Sequence, residues 1–376
     1  MGTTTTSAAA ARRLPIRLPH HGAAHRGLQA AGLLVLALLI WQISGASNFR
    51  LGQVTSVCIF AIAISGLNLA TGFTGMLSIG HSAFYGLGAY VTGILVVDHG
   101  WDPLLTIPVA VVISFVVGVL VGLPALRIRG LYLALVTLAV AVAFPELVRH
   151  FKDLTGGSSG LVIRARLLTP PEWTGLSVGQ RNTWLFWVSL VLLVLTLIVV
   201  RQFTRSRWGL AMVAVRDNEV AAASSGVNLA VVKTVVFGIS GAITGMGGSM
   251  IALYLGALSP DGSFTLLKSI ELITGLIVGG VATVGGPVVG AMAVVFLPYL
   301  TAQFSSGQMS AVIFGVVLIF IVFVMPHGVV GTLQRAARRV VVVDPDLPSG
   351  TARVQTRAVA VPTPQPITVG QPGDAA

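Results

Sequence analysis

Charged side chains are scarce in this chain of 376 residues, where they make up 9% against 55% for hydrophobic residues. Water-soluble domains carry about 25% charged residues, and that share is needed to hydrate a compact surface. Apolar runs of about 18 residues or more, the length of a transmembrane helix, recur along most of the chain. Together these features exclude a disordered chain and a soluble enzyme, and they indicate a membrane protein.

Cysteine occurs once, as Cys58, and lies inside an apolar run. The chain therefore has no internal disulfide, and no group of His and Cys residues has metal-ligand spacing in the sequence. The apolar runs are hydrophobic on all sides, whereas strands of a membrane barrel would alternate apolar and polar residues. The predicted fold class is all-α, a polytopic helical membrane protein without a metal site.

About ten transmembrane helices are predicted, with eight or nine possible if one segment enters and leaves on the same side. The stretch 66–97 is the least regular, because glycines interrupt it repeatedly. The first run, residues 28–46, is long for a signal peptide and lacks a clear cleavage site. The predicted spans are 29–46, 51–70, 76–97, 104–123, 131–149, 183–201, 232–256, 268–284, 286–304 and 309–326.

Most Lys and Arg residues fall on the same side as the two termini when these spans are threaded through a membrane. The positive-inside rule then places both termini in the cytoplasm and accounts for the net charge of +11 without nucleic acid. The predicted organisation is a flexible cytoplasmic tail at 1–27, a transmembrane domain at 28–335 and a flexible cytoplasmic tail at 336–376. The transmembrane domain would carry an external loop at 150–182 and a cytoplasmic loop at 201–233.

Small residues are expected to hold the helices together, because lipid gives helices no hydrophobic reason to associate. Glycines four residues apart let two helix backbones approach closely. They indicate either ordinary close packing of fixed helices or helices that slide or rock against each other. Four such pairs are Gly118 with Gly122, Gly241 with Gly245, Gly275 with Gly279, and Gly286 with Gly290.

Few ionisable residues fall within the spans, and all but His81 are predicted near the outer ends. Lys268 with Glu271, and Glu146 with Arg149, are three residues apart, which predicts ion pairs on one helix face; contact with a solute is the alternative. The spans offer no acidic relay near the midplane, which disfavours coupling to an ion gradient.

Lysine occurs only at positions 152, 233 and 268. A phosphate-binding loop needs Gly-Lys-Ser/Thr, but Val232 and Leu267 stand where the glycine would be. No nucleotide site and no catalytic residue is expected, so the chain is not predicted to be an enzyme. Any nucleotide would have to bind a partner.

The loop at 201–233 is predicted to contain one short helix. Asp217 or Asn218 would cap its start, Glu219 would lie in the first turn, and Gly226 would suit its end. Such a small, smooth helix could fit a groove on a soluble partner and transmit its movement. The alternative is a solvated connector that simply follows the positive-inside rule.

Six motifs, which follow one another along the chain in the order expected for the family, resemble those of the permeases of branched-chain amino acid ABC importers, the Liv-type family. The resemblance covers residues 30–335. The loop itself resembles the family's coupling loop in Ser206 to Gly209, Ala214 to Ala222 and Gly226 to Asn228, although seven residues rather than six separate Glu219 from Gly226. The others are Gly66 to Gly75 with Leu77 to Tyr90, Leu126 to Tyr132, Thr155 to Gly160, Tyr254 to Pro260, and Val278 to Pro287.

The resemblance implies a pore-forming subunit of the bacterial cell membrane that imports leucine, isoleucine or valine by alternating access. Its implied partners are a second homologous permease, two ATPase subunits that bind ATP and Mg²⁺, and an extracytoplasmic solute-binding protein. No cofactor is implied in this chain. The alternatives are a related importer of urea, a small amide or another amino acid, and a channel or carrier that works alone.

Three groups of residues receive roles, the first two from this resemblance and the third from residue spacing together with the implied outer loop. Coupling to the ATPase is assigned to Arg207, Gly209, Arg216, Asp217, Glu219, Ala221, Ala222 and Gly226. The translocation pathway is assigned to Asn68, Gly75, Ser78, Gly80, His81 and Gly88. Docking on the outer side, or ion pairing there, is assigned to Glu146, Arg149, Arg164, Arg166, Lys268 and Glu271.

Overall fold

The computed structural model describes residues 16–19, 47–124, 131–171, 174–304 and 308–344. The first predicted span, 29–46, and all but four residues of the predicted N-terminal tail lie outside these ranges. The chain forms two compact units, one of residues 1–35 with 336–376 and one of residues 36–335.

The second unit is built from helices. They are α1 Asn48–Leu67, α2 His81–Val97, α3 Pro103–Gly122, α4 Leu131–His150, α5 Lys152–Thr155, α6 Arg181–Arg205, α7 Arg207–Asp217, α8 Glu219–Ser224, α9 Leu229–Leu255, α10 Pro260–Ser263, α11 Leu266–Gly279, α12 Gly286–Phe304 and α13 Gln308–Val324. A last helix, α14, covers Gly328–Val340.

Within the described ranges, 7 helices are long and apolar enough to cross a membrane. Two shorter apolar helices, His81–Val97 and Val312–Ile321, accompany them. Each of the predicted spans after residue 50 overlaps one of these apolar helices. The helical membrane class is therefore confirmed, while the count of ten and the location of the termini stay predictions.

A break follows α1, in the stretch that the sequence marks as irregular. The helix continues as a π-helix at Asn68–Phe73 and then loses helical form until α2 begins at His81. Gly75 has φ +74, a left-handed conformation that favours glycine over any other residue. The span predicted at 76–97 therefore begins five residues too early, because the chain first passes through this turn.

Helix α9 lies at the centre of the second unit, and glycines bring its neighbours against it. A Cβ on Gly88 of α2 would lie 1.9 Å from the carbonyl oxygen of Gly245, and a Cβ on Gly118 of α3 would lie 3.0 Å from Gly238. Between α11 and α12, a Cβ on Gly290 would lie 1.9 Å from the carbonyl oxygen of Gly275. Backbone approaches this close exclude any side chain, so the glycine spacing predicted close helix packing correctly.

Two short sheets complete the description. In the second unit, β2 at Leu161–Val162 pairs antiparallel with β3 at Ala257–Leu258. In the first unit, β1 at Ile16–Pro19 pairs in parallel with β4 at Val341–Asp344. Residues 336–344 were assigned to a flexible tail from composition, but α14 and β4 include them; consecutive valines, which favour extended structure, account for the strand. The rest of that tail lies outside the described ranges.

Candidate functional site

Helix α6 separates two connecting segments that lie at opposite ends of the second unit. Its 25 residues extend over about 37 Å, enough to cross a bilayer. After α6 comes the connector, residues 206–228, which leads to α9. Before α6 comes the 151–180 segment, which follows α4.

The connector is shorter and more helical than the loop predicted at 201–233. Helix α6 continues to Arg205 and α9 begins at Leu229, so the apolar helices extend further than hydropathy alone indicated. Helix α7 was not predicted. Ser206 caps it by accepting a hydrogen bond from the backbone N–H of Trp208 at 3.2 Å.

Helix α8 is the short helix that the sequence predicted, and Asn218 rather than Asp217 caps it. The Asn218 side-chain oxygen accepts hydrogen bonds from the backbone N–H groups of Val220 and Ala221, both at 3.0 Å. Gly226 follows the helix with φ +85. Ala222 is buried against the protein while Ala221 is exposed, so α8 presents a face of small side chains to its surroundings.

A buried ion pair fastens α8 to α9. Lys233 Nζ lies 2.7 Å from Glu219 Oε1, and the side chains are 5% and 25% exposed respectively. A charge this deeply buried requires a partner, because desolvation would otherwise cost several kcal/mol. Sequence reasoning assigned no role to Lys233; the signal was a lone lysine at the start of an apolar run, with two carboxylates, Asp217 and Glu219, in the preceding loop.

Arg216 connects the other connector helix, α7, to the break after α1. Its guanidinium Nη1 donates to the carbonyl oxygen of Gly72 at 3.4 Å, and its Nε pairs with Asp217 at 3.2 Å. A Cβ on Gly75 would lie 2.8 Å from Arg216 Cγ. The connector thus contacts both the central helix and the interrupted one.

Arg207 and Gly209 lie in the first turn of α7. Gly209 is required by close approach, because a Cβ there would lie 1.9 Å from the carbonyl oxygen of Thr204. This contact sets the sharp corner between α6 and α7. Arg207 is exposed beside it.

Asn68 joins the break after α1 to a second break between α11 and α12. Its amide nitrogen donates to the Thr283 carbonyl oxygen at 2.8 Å, and its amide oxygen accepts from the Ala282 N–H at 2.9 Å. Ala282 has φ +58, a conformation that alanine rarely adopts. Two hydrogen bonds from a fully buried side chain therefore hold a strained turn in place.

His81 is the centre of a buried network between α2, α9 and the end of α1. Ser240 donates its hydroxyl hydrogen to the Gly66 carbonyl oxygen at 2.6 Å. The Ser240 oxygen therefore accepts from His81 Nε2 at 2.7 Å, which leaves His81 Nδ1 to accept from Ser78 at 2.8 Å. These bonds assign a neutral imidazole protonated on Nε2.

The residues assigned to the pathway are mostly packed rather than exposed. Asn68, Ser78, Gly80, His81 and Gly88 are buried, and only Gly75 is exposed. In this conformation they fasten helices to one another. Their role along a pathway stays a prediction that requires these contacts to rearrange.

Both ion pairs expected from the three-residue spacing are present. Arg149 pairs with Glu146 and also with Asp261 just after β3, a partner that sequence spacing could not reveal. Arg164 is exposed on the 151–180 segment. Arg166 lies in a 3-10 turn on the same segment, and its side chain is outside the described part of the structure.

Lys268 pairs with Glu271 at 2.5 Å. The predicted span began at 268, whereas the apolar stretch that contains the pair runs from Pro260 to Gly279 and α11 begins at Leu266. The hydropathy reading began the span too late because the polar residues of α10 precede it. The location of the pair at an outer end stays a prediction.

The 151–180 segment is fixed to the second unit by many contacts. The pairing of β2 with β3 joins it to the chain after α9, and Ile163 N–H donates to the Gly256 carbonyl oxygen at 2.8 Å. A Cβ on Gly160 would lie 2.2 Å from the Leu258 carbonyl oxygen. Arg181 donates to the carbonyl oxygens of Leu253 and Tyr254 at the end of α9, at 2.7 and 3.1 Å.

Comparison with known proteins gives consistent relatives. The permease protein LivM of the high-affinity branched-chain amino acid transport system in Salmonella typhimurium is 29% identical over 317 residues, covering 79% of this chain and 74% of LivM. The permease protein LivH of Escherichia coli K12 is 23% identical over 289 residues, covering 72% of this chain and 91% of LivH. No solved structure matches the chain significantly.

A family model described as the permease component of branched-chain amino acid transport systems matches residues 50–322. This range begins at the start of α1 and ends within α13, so it includes the connector, both helix breaks and both ion pairs of the apolar spans. The chain belongs to the family of branched-chain amino acid transport permeases.

Proposed function

We propose that the chain is the pore-forming subunit of an ATP-driven importer in the bacterial plasma membrane, and that it moves leucine, isoleucine and valine by alternating access. The relatives LivM and LivH are named as permease proteins of high-affinity branched-chain amino acid transport, which supports this substrate class. The apolar helices support a multi-pass location in the membrane.

The proposed complex contains a second homologous permease, two ATPase subunits and an extracytoplasmic solute-binding protein. The chain resembles both LivM and LivH, which carry different names within one organism, and this supports a pair of related permeases. ATP and Mg²⁺ bind the ATPase subunits. Selectivity rests mainly with the solute-binding protein, so the pore needs no tight site.

The observation that carries the proposal is the construction of the connector. Helix α8 exposes small side chains that a groove on an ATPase can hold, and the Glu219–Lys233 pair joins this helix to the central helix α9. Arg216 joins the connector to Gly72 at the break after α1. A displacement of α8 is therefore transmitted to two parts of the bundle through buried or partly buried contacts.

The orientation follows from this assignment. The connector faces the cytoplasm, where the ATPases are, and the 151–180 segment faces outward, where the binding protein delivers its load. Both termini are then cytoplasmic, with ten transmembrane helices when 29–46 is included.

The test is reconstitution in liposomes with the two ATPases, the second permease and the loaded binding protein. Leucine, isoleucine and valine should accumulate only when ATP is supplied, and urea should not. The chain without ATPases should be inert. Uphill accumulation by the chain alone would contradict the proposal and favour an ion-coupled carrier, and passive equilibration would favour a channel.

A bulky substitution on the exposed face of α8 separates coupling from folding. Ala223 is exposed, so Ala223→Trp should leave the second unit intact while it obstructs the groove of the ATPase. We expect uptake to fall by about tenfold or more, with the protein still present in the membrane. Ala302→Trp, at an exposed alanine near the far end of α12, is the matched control and should preserve uptake. Normal uptake by the α8 variant would contradict a coupling role.

A further inference from the structure

Lys268 and Glu271 form an ion pair in the first two turns of α11, within the apolar stretch Pro260–Gly279. Lys268 is eight residues from one end of the Pro260–Gly279 span, and Glu271 is eight residues from the other. Acidic and basic residues of the other described spans lie nearer to a span end. A charge at this depth is costly in lipid, so such residues face protein or water and mark a functional site by default.

The pair is reachable from outside this subunit. The Lys268 side chain is 23% exposed and the Glu271 side chain 34% exposed. Leu267, one turn before Glu271 on the same face of α11, is exposed, and so is Ile270 beside it. Because a charged pair in this position cannot rest against acyl chains, this face of α11 must border a water-filled space or a second subunit.

Aromatic residues line the inner side of the pair. Lys268 Nζ lies 5.0 Å from the centroid of the Phe60 ring, which is a favourable cation–π distance. The Tyr85 ring is 6.2 Å from Phe60, and Tyr85 is 1% exposed. Its hydroxyl has no hydrogen-bond partner among the described residues.

We propose that the Lys268–Glu271 pair is where the zwitterionic head group of an α-amino acid binds during passage through the pore. This proposal rests on the proposed import function and assigns a residue-level site to it. The substrate carboxylate pairs with the Lys268 ammonium, and the substrate ammonium pairs with the Glu271 carboxylate. One internal ion pair is thereby exchanged for two with substrate, and on release the internal pair forms again.

This arrangement suits a transient site. Substrate must compete with an ion pair that already satisfies both side chains, so binding is weak and the substrate can leave. The exposed Leu267 and Ile270 beside the pair offer apolar contact for a branched side chain. A solute without both charges cannot replace the internal pair, which provides discrimination within the pore itself.

The experiment uses the complete importer in liposomes, with radiolabelled L-leucine and loaded binding protein. Lys268→Met combined with Glu271→Gln removes both charges and leaves neither unpaired. We expect maximal leucine uptake to fall by about tenfold or more, because both charge-assisted contacts to the substrate head group are lost. ATP hydrolysis stimulated by the loaded binding protein, and the concentration of binding protein at half-maximal uptake, should stay within about twofold.

A second variant distinguishes a substrate site from a structural ion pair and does not depend on the neutral variant folding. Lys268→Glu combined with Glu271→Lys keeps an ion pair at the same spacing but places the carboxylate beside Phe60. Continued loss of uptake in this variant, with a wild-type melting temperature and wild-type stimulation of ATP hydrolysis, supports the proposal. Recovery of normal uptake would show a purely structural pair and would overturn it, as would normal uptake by the neutral variant.

The pair at Glu146 and Arg149 is the matched comparison, because it has the same spacing but lies at the end of its span. Neutralising it should change the binding-protein dependence rather than the maximal rate. Failure of the wild-type complex to import leucine would refute the proposed function itself. Import by the wild type together with equal import by the neutral Lys268 and Glu271 variant would refute only this site.

Discussion

The connector and the 151–180 segment join helices at opposite ends of the same unit, yet they are attached in different ways. The connector packs through buried apolar side chains such as Met212 and Val215, and charged side chains join it to α9 and to the break after α1, Glu219 with Lys233 and Arg216 with Gly72. The 151–180 segment is held by strand pairing and by glycine contacts, such as Gly160 against Leu258, that allow no adjustment.

This difference indicates different mechanical roles. Ion pairs can transmit a displacement and then reform, because the side chains that make them are long and rotatable. Glycine backbone contacts that leave no room for a Cβ have less freedom, because a small shift either creates a clash or removes the contact. The connector is suited to transmit movement, whereas the 151–180 segment is suited to remain fixed as a platform.

The largest effect on stability and uptake is expected from Glu219→Ala, which removes the ion pair that holds the connector. Loss of the carboxylate leaves the Lys233 charge 5% exposed without its ion-pair partner, and such a change costs about 3–5 kcal/mol. We expect a lower melting temperature of the purified complex and loss of uptake.

The control for this prediction is Glu219→Gln combined with Lys233→Met, which removes both charges. The double variant should regain most of the melting temperature, because no buried charge is left alone. A single variant as stable as the wild type would show that the ion pair does not hold the connector.

The second largest effect on stability is expected from Gly160→Ala, which introduces a clash where the 151–180 segment packs. The new Cβ would lie 2.2 Å from the Leu258 carbonyl oxygen, at a residue with φ +75. Overpacking of this kind costs about 1–3 kcal/mol, and uptake should fall only as far as the amount of folded protein falls. Gly179→Ala is the matched control, because a Cβ there has no neighbour within 4 Å. Equal melting temperatures for both variants would refute a rigid platform.

A smaller effect is expected from Gly226→Ala in the connector. A Cβ at this position meets no neighbour within 4 Å, so only the left-handed backbone at φ +85 opposes the substitution, at about 1 kcal/mol. Uptake should fall several-fold with little change in melting temperature. Gly226→Asn should be milder, since asparagine tolerates this conformation. Identical uptake by the alanine variant, the asparagine variant and the wild type would show that coupling does not require the left-handed backbone at Gly226.

The smallest effect is expected at the surface of the platform. Arg164 is exposed, and Arg164→Glu combined with Arg166→Glu should raise the binding-protein concentration needed for half-maximal uptake by a few-fold. Exposed charge contacts contribute about 0.2–1 kcal/mol and are screened by salt, so the shift should be larger at low ionic strength. An unchanged concentration dependence would remove these arginines from docking.

Most of the helical framework was predictable because hydropathy and glycine spacing act locally. The sequence also predicted the short helix α8, because helix caps and helix ends are determined by residues close in the sequence. These are the cap at Asn218, the first turn at Glu219 and the left-handed Gly226. Helix α7 was missed because Arg207 to Asp217 mixes apolar and charged residues without a long apolar run.

Contacts between residues far apart in the chain could not be predicted. Lys233 lies in α9 and Glu219 in α8, with a non-helical stretch between them, so spacing does not predict their ion pair. Asp261 contacts Arg149 only because the chain after α9 folds back. The start of the apolar stretch around Lys268 was also missed, because the polar start at Pro260 and Asp261 concealed it from hydropathy. Partners of this kind are determined by tertiary structure rather than by spacing.

The amide of Asn68 has a consequence for how the two helix breaks behave. It makes one hydrogen bond as a donor and one as an acceptor to the turn at Ala282 and Thr283, so neither aspartate nor leucine can replace it. If the chain moves at the break after α1, the Asn68 hydrogen bonds must either break or move the turn at Ala282 and Thr283 with it. The conformations of the two breaks are therefore thermodynamically linked. At about 1 kcal/mol for each hydrogen bond, this cooperativity is strong enough to bias a transition and weak enough to be reversed in every cycle.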